Sequence, residues 1–144
     1  MIRDAVYADI EEMLVLCRHF FDATAYPEYM DFSEEVTRET LQNLIDNELG
    51  IALVLDDDGI KGIITALIFP LYMSGAMTGQ ELCWWCEEKG KGMLLLTALE
   101  REAKRRGAET FMMLSLDQLQ PQRLDRLYQA KGYHRSEHTY IRRL

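Results

Sequence analysis

Apolar positions along the chain switch between helical and strand spacing, and the switches lay out the elements. Ile2 to Val6 is a short β-like stretch. Ile10, Met13, Leu14, Cys17, Phe20 and Phe21 follow at helical spacing, with Asp9 placed to cap the helix. Tyr26-Pro27-Glu28-Tyr29 breaks that helix into a loop, and Val36, Leu41, Leu44 and Ile45 predict a second helix from Ser33 to about Glu48. Gly50 stops it. Ile51 to Leu55 and Ile60 to Phe69 then read as a β-hairpin, because Asp58-Gly59 suits the positive φ of a tight turn.

A loop over 74–79 leads to a strand from Glu81 to about Cys86, and Gly90 and Gly92 mark a turn. From Met93 to Arg106, Leu95, Leu96, Leu99 and Ala103 share one helix face while Glu100, Arg101, Lys104 and Arg105 take the other, with Gly107 as the stop. Thr110 to Leu116 is apolar and strand-like. The strands on either side of this helix are expected to run parallel, joined by a right-handed crossover. A shorter helix spans Pro121 to Lys131, and Tyr133 to Arg143 closes the chain as strand-like segments. The order predicts an α/β (α+β) fold, a mixed central β-sheet flanked by about four helices, in one domain spanning 1–144.

Composition narrows the class. At 144 residues, 48% hydrophobic and 28% charged, the chain has the size and apolar mass of a single-core globular protein. No apolar run is long enough to span a membrane. No cationic stretch followed by an apolar one opens the sequence, so the expected compartment is cytoplasmic. Three cysteines argue against a disulfide framework. The net charge of −8 is unevenly spread. Residues 1–60 carry three basic and 15 acidic side chains, a net of −12, whereas 61–144 carry 13 basic and nine acidic, a net of +4. One half attracts cations and the other anions, unless the clustering is merely that of solvated faces. An acidic total speaks against nucleic acid as a partner.

The most informative stretch is Lys89-Gly90-Lys91-Gly92, between a predicted strand and helix. Glycines let backbone approach a ligand, helix N-terminal amides point at anions, and two lysines add charge. The run is neither a P-loop nor a dinucleotide fingerprint. Cys83 and Cys86 have C-x-x-C spacing, but positions i and i+3 of a strand face opposite sides, which suits neither a redox pair nor a metal clip. His134-Arg-Ser-Glu-His138 matches a zinc motif that needs a helix, while its neighbours favour extended chain. No metal site is expected.

Placed mid-chain after two helices and a hairpin, and followed by strand, helix and Leu127-Tyr128-Gln-Ala-Lys-Gly132-Tyr133, this turn resembles the acyl-CoA signature of the GNAT superfamily of N-acetyltransferases. Lys89-x-x-Gly92-x-Leu94 is similar to that family's Arg/Gln-x-x-Gly-x-Gly/Ala, and 127–133 to its Leu-Tyr-x-x-x-Gly-Phe/Tyr run. The opening Ile2-Arg3-Asp-Ala and the run Glu81-Leu-Cys-Trp-Trp85 are similar to small GNAT proteins of phage and environmental origin.

The resemblance implies an acetyl-CoA-dependent N-acetyltransferase with acetyl-CoA as co-substrate. The strand before the turn would part from the next, with pantetheine bonded to backbone near Trp85 and Cys86. The pyrophosphate would rest on the amides of Lys89, Gly90, Lys91, Gly92 and Met93. Tyr128 would protonate the departing thiolate, a task suited to a phenol that stays protonated at neutral pH. Glu81 would take a proton from the ammonium. Tyr26, Tyr29, Asp31 and Phe32, between the first two helices, would contact the acceptor, a small-molecule or peptide amine. A second copy of the chain, as in a homodimer, is the protein partner considered. The alternative is a non-catalytic GNAT-like module that binds acyl-CoA or a protein. Each residue also has a plain structural role open to it: Tyr128 as a core aromatic, Glu81 as a strand-end carboxylate, Lys89 and Lys91 as solvated turn residues, the interhelix loop as mobile surface.

Overall fold

Every sheet contact in the computed structural model, which describes residues 1–144, joins strands that are neighbours in the chain order. The elements are β1 (Ile2–Asp4), α1 (Ile10–Ala23), α2 (Glu34–Asp46), β2 (Gly50–Asp56), β3 (Ile60–Pro70), β4 (Met77–Cys86), α3 (Gly92–Arg105), β5 (Thr110–Met112) and α4 (Pro121–Ala130). The sheet order is β1-β2-β3-β4-β5; the first three pairings are antiparallel and the last is parallel. A hairpin needs only a tight turn, here with Asp58 at φ 55° and Gly59 at φ 107°. The parallel pair needs a crossover, which α3 provides.

Strand alternation distributes the core over two faces. Val54, Ile63 and Cys83 pack with Met13, Leu16, Phe20, Leu41 and Leu44 of α1 and α2. Leu53, Ile64 and Ala66 pack with Leu95, Leu96 and Leu99 of α3 and with Tyr128 of α4. The ends of α3 and α4 share one solution. Gly107 (φ 94°) and Gly132 (φ 93°) sit just past the helices, and the amides of Ala108 and Tyr133 donate back to the carbonyls of Ala103 and Tyr128. The second of these turns folds Tyr133 back over Tyr128, with ring centroids 5.6 Å apart.

Several expectations are corrected. Strand β4 begins at Met77 rather than Glu81. Strand β5 stops at Met112 instead of reaching Leu116, because the Leu114 backbone is taken by side chains, as described below. Asp9 precedes α1 without capping it; its carboxylate accepts from the Val6 amide at 2.8 Å and pairs with Arg3 at 2.7 Å. The segment after Gly132 forms no strand. Its polar run His134-Arg-Ser-Glu-His138 offers no apolar face to bury, and the three-residue β5 offers little edge to pair with.

Helix α2 lies so close to β2 that a Cβ at Gly50 would fall 2.5 Å from the Leu44 carbonyl oxygen. Backbone cannot step aside there as a side-chain tip would. Gly50→Ala is therefore expected to lower stability by about 1–3 kcal/mol, as overpacked cores do, in urea unfolding; an unchanged midpoint would refute this close approach.

Candidate active site

Strand β4 is paired with β5 only at Thr78, Gly79 and Gln80, opposite Thr110, Phe111 and Met112. It then runs on through Cys86, so residues 81–86 have no strand partner on that side. Gly79 permits the close pairing below this point, since a Cβ there would sit 2.4 Å from the Phe111 ring. On its other edge β4 holds to β3 with one irregularity: Thr65 pairs with Cys83 and Ala66 with Glu81, leaving Leu82 as an extra residue. The bulge resets the alternation. Glu81 shares the Ala66 face, toward α3 and α4, whereas Leu82 and Cys83 line a cavity on the α1–α2 side.

Where β4 and β5 part, Glu81 reaches across. Its Oε2 accepts from the Leu114 amide at 3.1 Å, and the Tyr128 hydroxyl donates to the Leu114 carbonyl at 2.8 Å. The backbone of one residue is thus held at its amide and at its carbonyl by the two side chains predicted to be catalytic. Glu81 is 2% exposed, and burial pushes its carboxyl up to about 7 against the pull of that amide bond. Tyr128 is 8% exposed, and its phenol is raised by burial and by the nearby Glu81 charge, so it holds its proton at neutral pH. Its hydroxyl is engaged with Leu114 in this arrangement.

Past the split, the Lys89–Lys91 turn leads directly into α3. Gly90 adopts φ 82°, a conformation that favours glycine. The Lys91 amide donates to Glu88 O and that of Leu94 to Lys91 O. The amides of Lys89, Gly90, Gly92 and Met93 have no acceptor among the protein's hydrogen bonds. Such unengaged donors at a helix start suit an anion. The two lysines differ. Lys91 is paired with Asp57 and lies 3.9 Å from Glu88, and the Asp57 bond raises its ammonium. Lys89 is exposed and forms no ion pair.

Trp85 and Cys86 stand on the unpartnered edge, facing opposite ways. The Trp85 indole joins the α1–α2 core side and donates to Glu87 Oε1 at 3.0 Å, an oxygen also 2.6 Å from His19 Nδ1. Cys86 turns to the α3 side and donates to Glu88 O at 3.3 Å. Cys83 instead contacts Cys17. No group of three or more His, Cys, Asp or Glu side chains is arranged to hold a metal.

The cavity between α1, α2 and the β4 bulge measures about 440 Å³. Tyr26, Asp31 and Phe32 line it; Tyr29 does not. Sequence reading missed the bulge at Leu82, the Leu114 peptide and the Asp57–Lys91 pair. The Leu114 peptide acts through backbone, which leaves no residue-type signature, and the bulge lies in a run, Gln80 to Trp85, without clear alternation.

No protein-family model matches the chain, and no curated protein matches it. Solved structures do. A transcriptional regulator from Bacillus halodurans C-125 is 18% identical with a TM-score of 0.76, covering 100% of this chain and 99% of that one. A GNAT family acetyltransferase from Staphylococcus aureus is 17% identical with a TM-score of 0.68, covering 100% and 98%. AAC(6')-Iy, solved with a bisubstrate analogue, CoA-S-monomethyl-acetylneamine, is 13% identical with a TM-score of 0.77, covering 100% and 97%. The chain has the GNAT fold, over its whole length.

Glu81 also makes stability pH-dependent. Its folded value of about 7 exceeds the ordinary 4.5, so the folded state binds the proton more tightly. The stability it contributes is complete below about pH 4.5 and is lost as pH rises through about 7, by about 3 kcal/mol in total. Relative to the wild type, Glu81→Gln is expected to gain stability progressively between pH 5 and pH 8 in denaturant titrations. A wild-type-to-variant difference that is flat with pH would show that Glu81 titrates normally.

Proposed function

We propose that this protein transfers an acetyl group from acetyl-CoA to a primary amine by direct attack. The observation that carries the reading is the parting of β4 from β5 just before a turn with four unengaged amides, with Glu81 and Tyr128 meeting at Leu114. The fold shared with AAC(6')-Iy, a protein solved with a CoA-linked analogue, supports it.

Acetyl-CoA supplies the acyl group as a thioester. The chain's own groups do the rest. The unpartnered backbone of β4 near Trp85 and Cys86 offers hydrogen bonds to an extended pantetheine arm. The amides of Lys89, Gly90, Gly92 and Met93, with the free charge of Lys89, receive the pyrophosphate; Lys91 braces the turn through Asp57. Glu81, ionised above about pH 7, accepts the ammonium proton directly or through water. The amine nitrogen then bonds to the acyl carbon, and the carbon–sulfur bond breaks. Tyr128 exchanges its bond to Leu114 for the leaving sulfur and delivers its proton there, while the surplus proton on the new amide nitrogen leaves through water and restores the phenol. No covalent enzyme intermediate is needed.

A second reading has its own support. The Tyr128 hydroxyl is committed to Leu114 O, and a structure of the same fold is described as a transcriptional regulator. A non-catalytic acyl-CoA-binding module is consistent with both.

Acetyl-CoA at 100 times its Kd should stabilise the protein by about 2.7 kcal/mol in thermal unfolding; no shift at millimolar concentration excludes both readings. Thiol release across a panel of amines separates them. Tyr128→Phe is expected to lower kcat by about 10²-fold, the usual worth of a general acid, and undiminished turnover would remove Tyr128 from that role. The wild-type rate should rise through about pH 7 as Glu81 ionises. Glu81→Gln should lose that inflection, and a profile identical to wild type would show that another group is the base.

A further inference from the structure

We infer that Glu100, on α3, is a positioning residue for the reaction: through Tyr133 and Lys131 it holds α4, and with it the Tyr128 phenol, in place when that phenol leaves Leu114 for the departing sulfur. This rests on the acyl-transfer reading and adds a residue to it. By sequence pattern Glu100 belongs to the polar face of α3, beside Arg101, Lys104 and Arg105. Its two carboxylate oxygens are nevertheless both engaged with the far end of α4.

Helix α4 has few other ties to the body of the protein. At 10 residues it is shorter than the roughly 12–15 a helix needs to persist alone in water. Tyr128 is its one buried side chain, and Leu124 is only partly buried against the α3 side of the sheet. The bonds of Arg123 to Gln120, Gln129 to Asp125 and Arg135 to Asp125 stay within the helix and its flanks. Three polar contacts reach outside. The Tyr128 hydroxyl donates to Leu114 O at 2.8 Å, the Tyr133 hydroxyl donates to Glu100 Oε1 at 2.8 Å, and Lys131 Nζ lies 2.8 Å from Glu100 Oε2. The Lys131 and Glu100 side chains are 23% and 30% exposed, so solvent screens this pair less than a free surface pair. Burial and the bond to Glu100 raise the Tyr133 phenol, which keeps its proton as a donor at neutral pH.

The mechanism removes one of these three contacts. Once Tyr128 exchanges Leu114 for the sulfur, the two at Glu100 are the polar ties that remain. Tyr133 transmits them. The turn at Gly132 (φ 93°) brings its ring to 5.6 Å from that of Tyr128, tilted at 56°, and its amide donates to Tyr128 O at 2.9 Å. A tie at Glu100 therefore limits how far the phenol can drift while it is free. Proton delivery requires hydrogen-bond reach to the sulfur, and a misplacement of about 1 Å can cost about 10²-fold.

The test pairs hydrogen-exchange NMR with thiol release in two variants. Glu100→Ala loses both contacts, whereas Glu100→Gln keeps an acceptor for Tyr133. In Glu100→Ala the α4 amides are expected to exchange about tenfold faster, the worth of a hydrogen bond to a charged group, while those of β2 and β3 are unchanged. Unaltered α4 exchange overturns the inference. With an amine that the wild type acetylates, Glu100→Ala should lower kcat about tenfold and leave the KM for acetyl-CoA unchanged, and Glu100→Gln should restore most of the rate. In a Tyr128→Phe background, Glu100→Ala should lower kcat no further, because no acid is left to place. A loss that persists in that background, that falls on KM alone, or that glutamine does not relieve overturns the positioning role. Failure of the underlying reading shows separately. A wild type that releases no thiol with any amine refutes acyl transfer, and α4 exchange still decides whether Glu100 holds the helix.

Discussion

The hold of Glu81 and Tyr128 on the Leu114 backbone marks where β4 and β5 part, and the candidate site is built around that parting. A parallel strand pair that continued past Gln80 and Met112 would close the sheet and leave no opening between β4 and β5. Instead the ladder ends, and the amide and carbonyl of Leu114, two residues on, are taken by a carboxylate and a phenol. Burial of Glu81 at 2% exposure is costly for a carboxylate with a single amide partner. A pKa displaced to about 7 is the visible consequence, and strongly displaced titratable groups gather at functional sites.

The two faces of the sheet divide the work. On one, α1 and α2 enclose the cavity lined by Tyr26, Asp31 and Phe32. On the other, α3 and α4 support the turn with unengaged amides and the two residues at Leu114. The Leu82 bulge couples the faces, because a single extra residue puts Glu81 and Cys83 on opposite sides within one short stretch of strand. Bulges commonly re-aim side chains next to active sites. The uneven charge of the sequence falls along the same division. The −12 half contains α1, α2 and their loop, while the +4 half contains the turn and α3.

Most of the fold is legible in the sequence. Helical spacing located α1, α2, α3 and α4 to within a few residues, and Asp58-Gly59 located the hairpin. Helix stops at Gly107 and Gly132 followed from the positive φ those positions require. Errors collected at the C-terminal side of the sheet. There, an apolar run from Thr110 to Leu116 was mostly not a strand, and a polar tail was not one at all. Apolar strand composition records burial, and burial continues beyond Met112 without pairing.

The sequence by itself determined the elements, their order and the residue types available for chemistry, because periodicity, turn residues and helix stops are local. It also placed Tyr128 and Glu81 as candidates through their likeness to a known pattern. Only the tertiary structure decided that both close on the backbone of one residue, Leu114, and that Lys91 is neutralised by Asp57 while Lys89 is free. It alone placed Tyr26, Asp31 and Phe32, but not Tyr29, around a cavity. These depend on a bulge, a strand that ends early and contacts between residues more than 30 positions apart, such as Glu81 with Leu114 and Asp57 with Lys91. Such pairings follow from how the layers pack, and no local pattern encodes them.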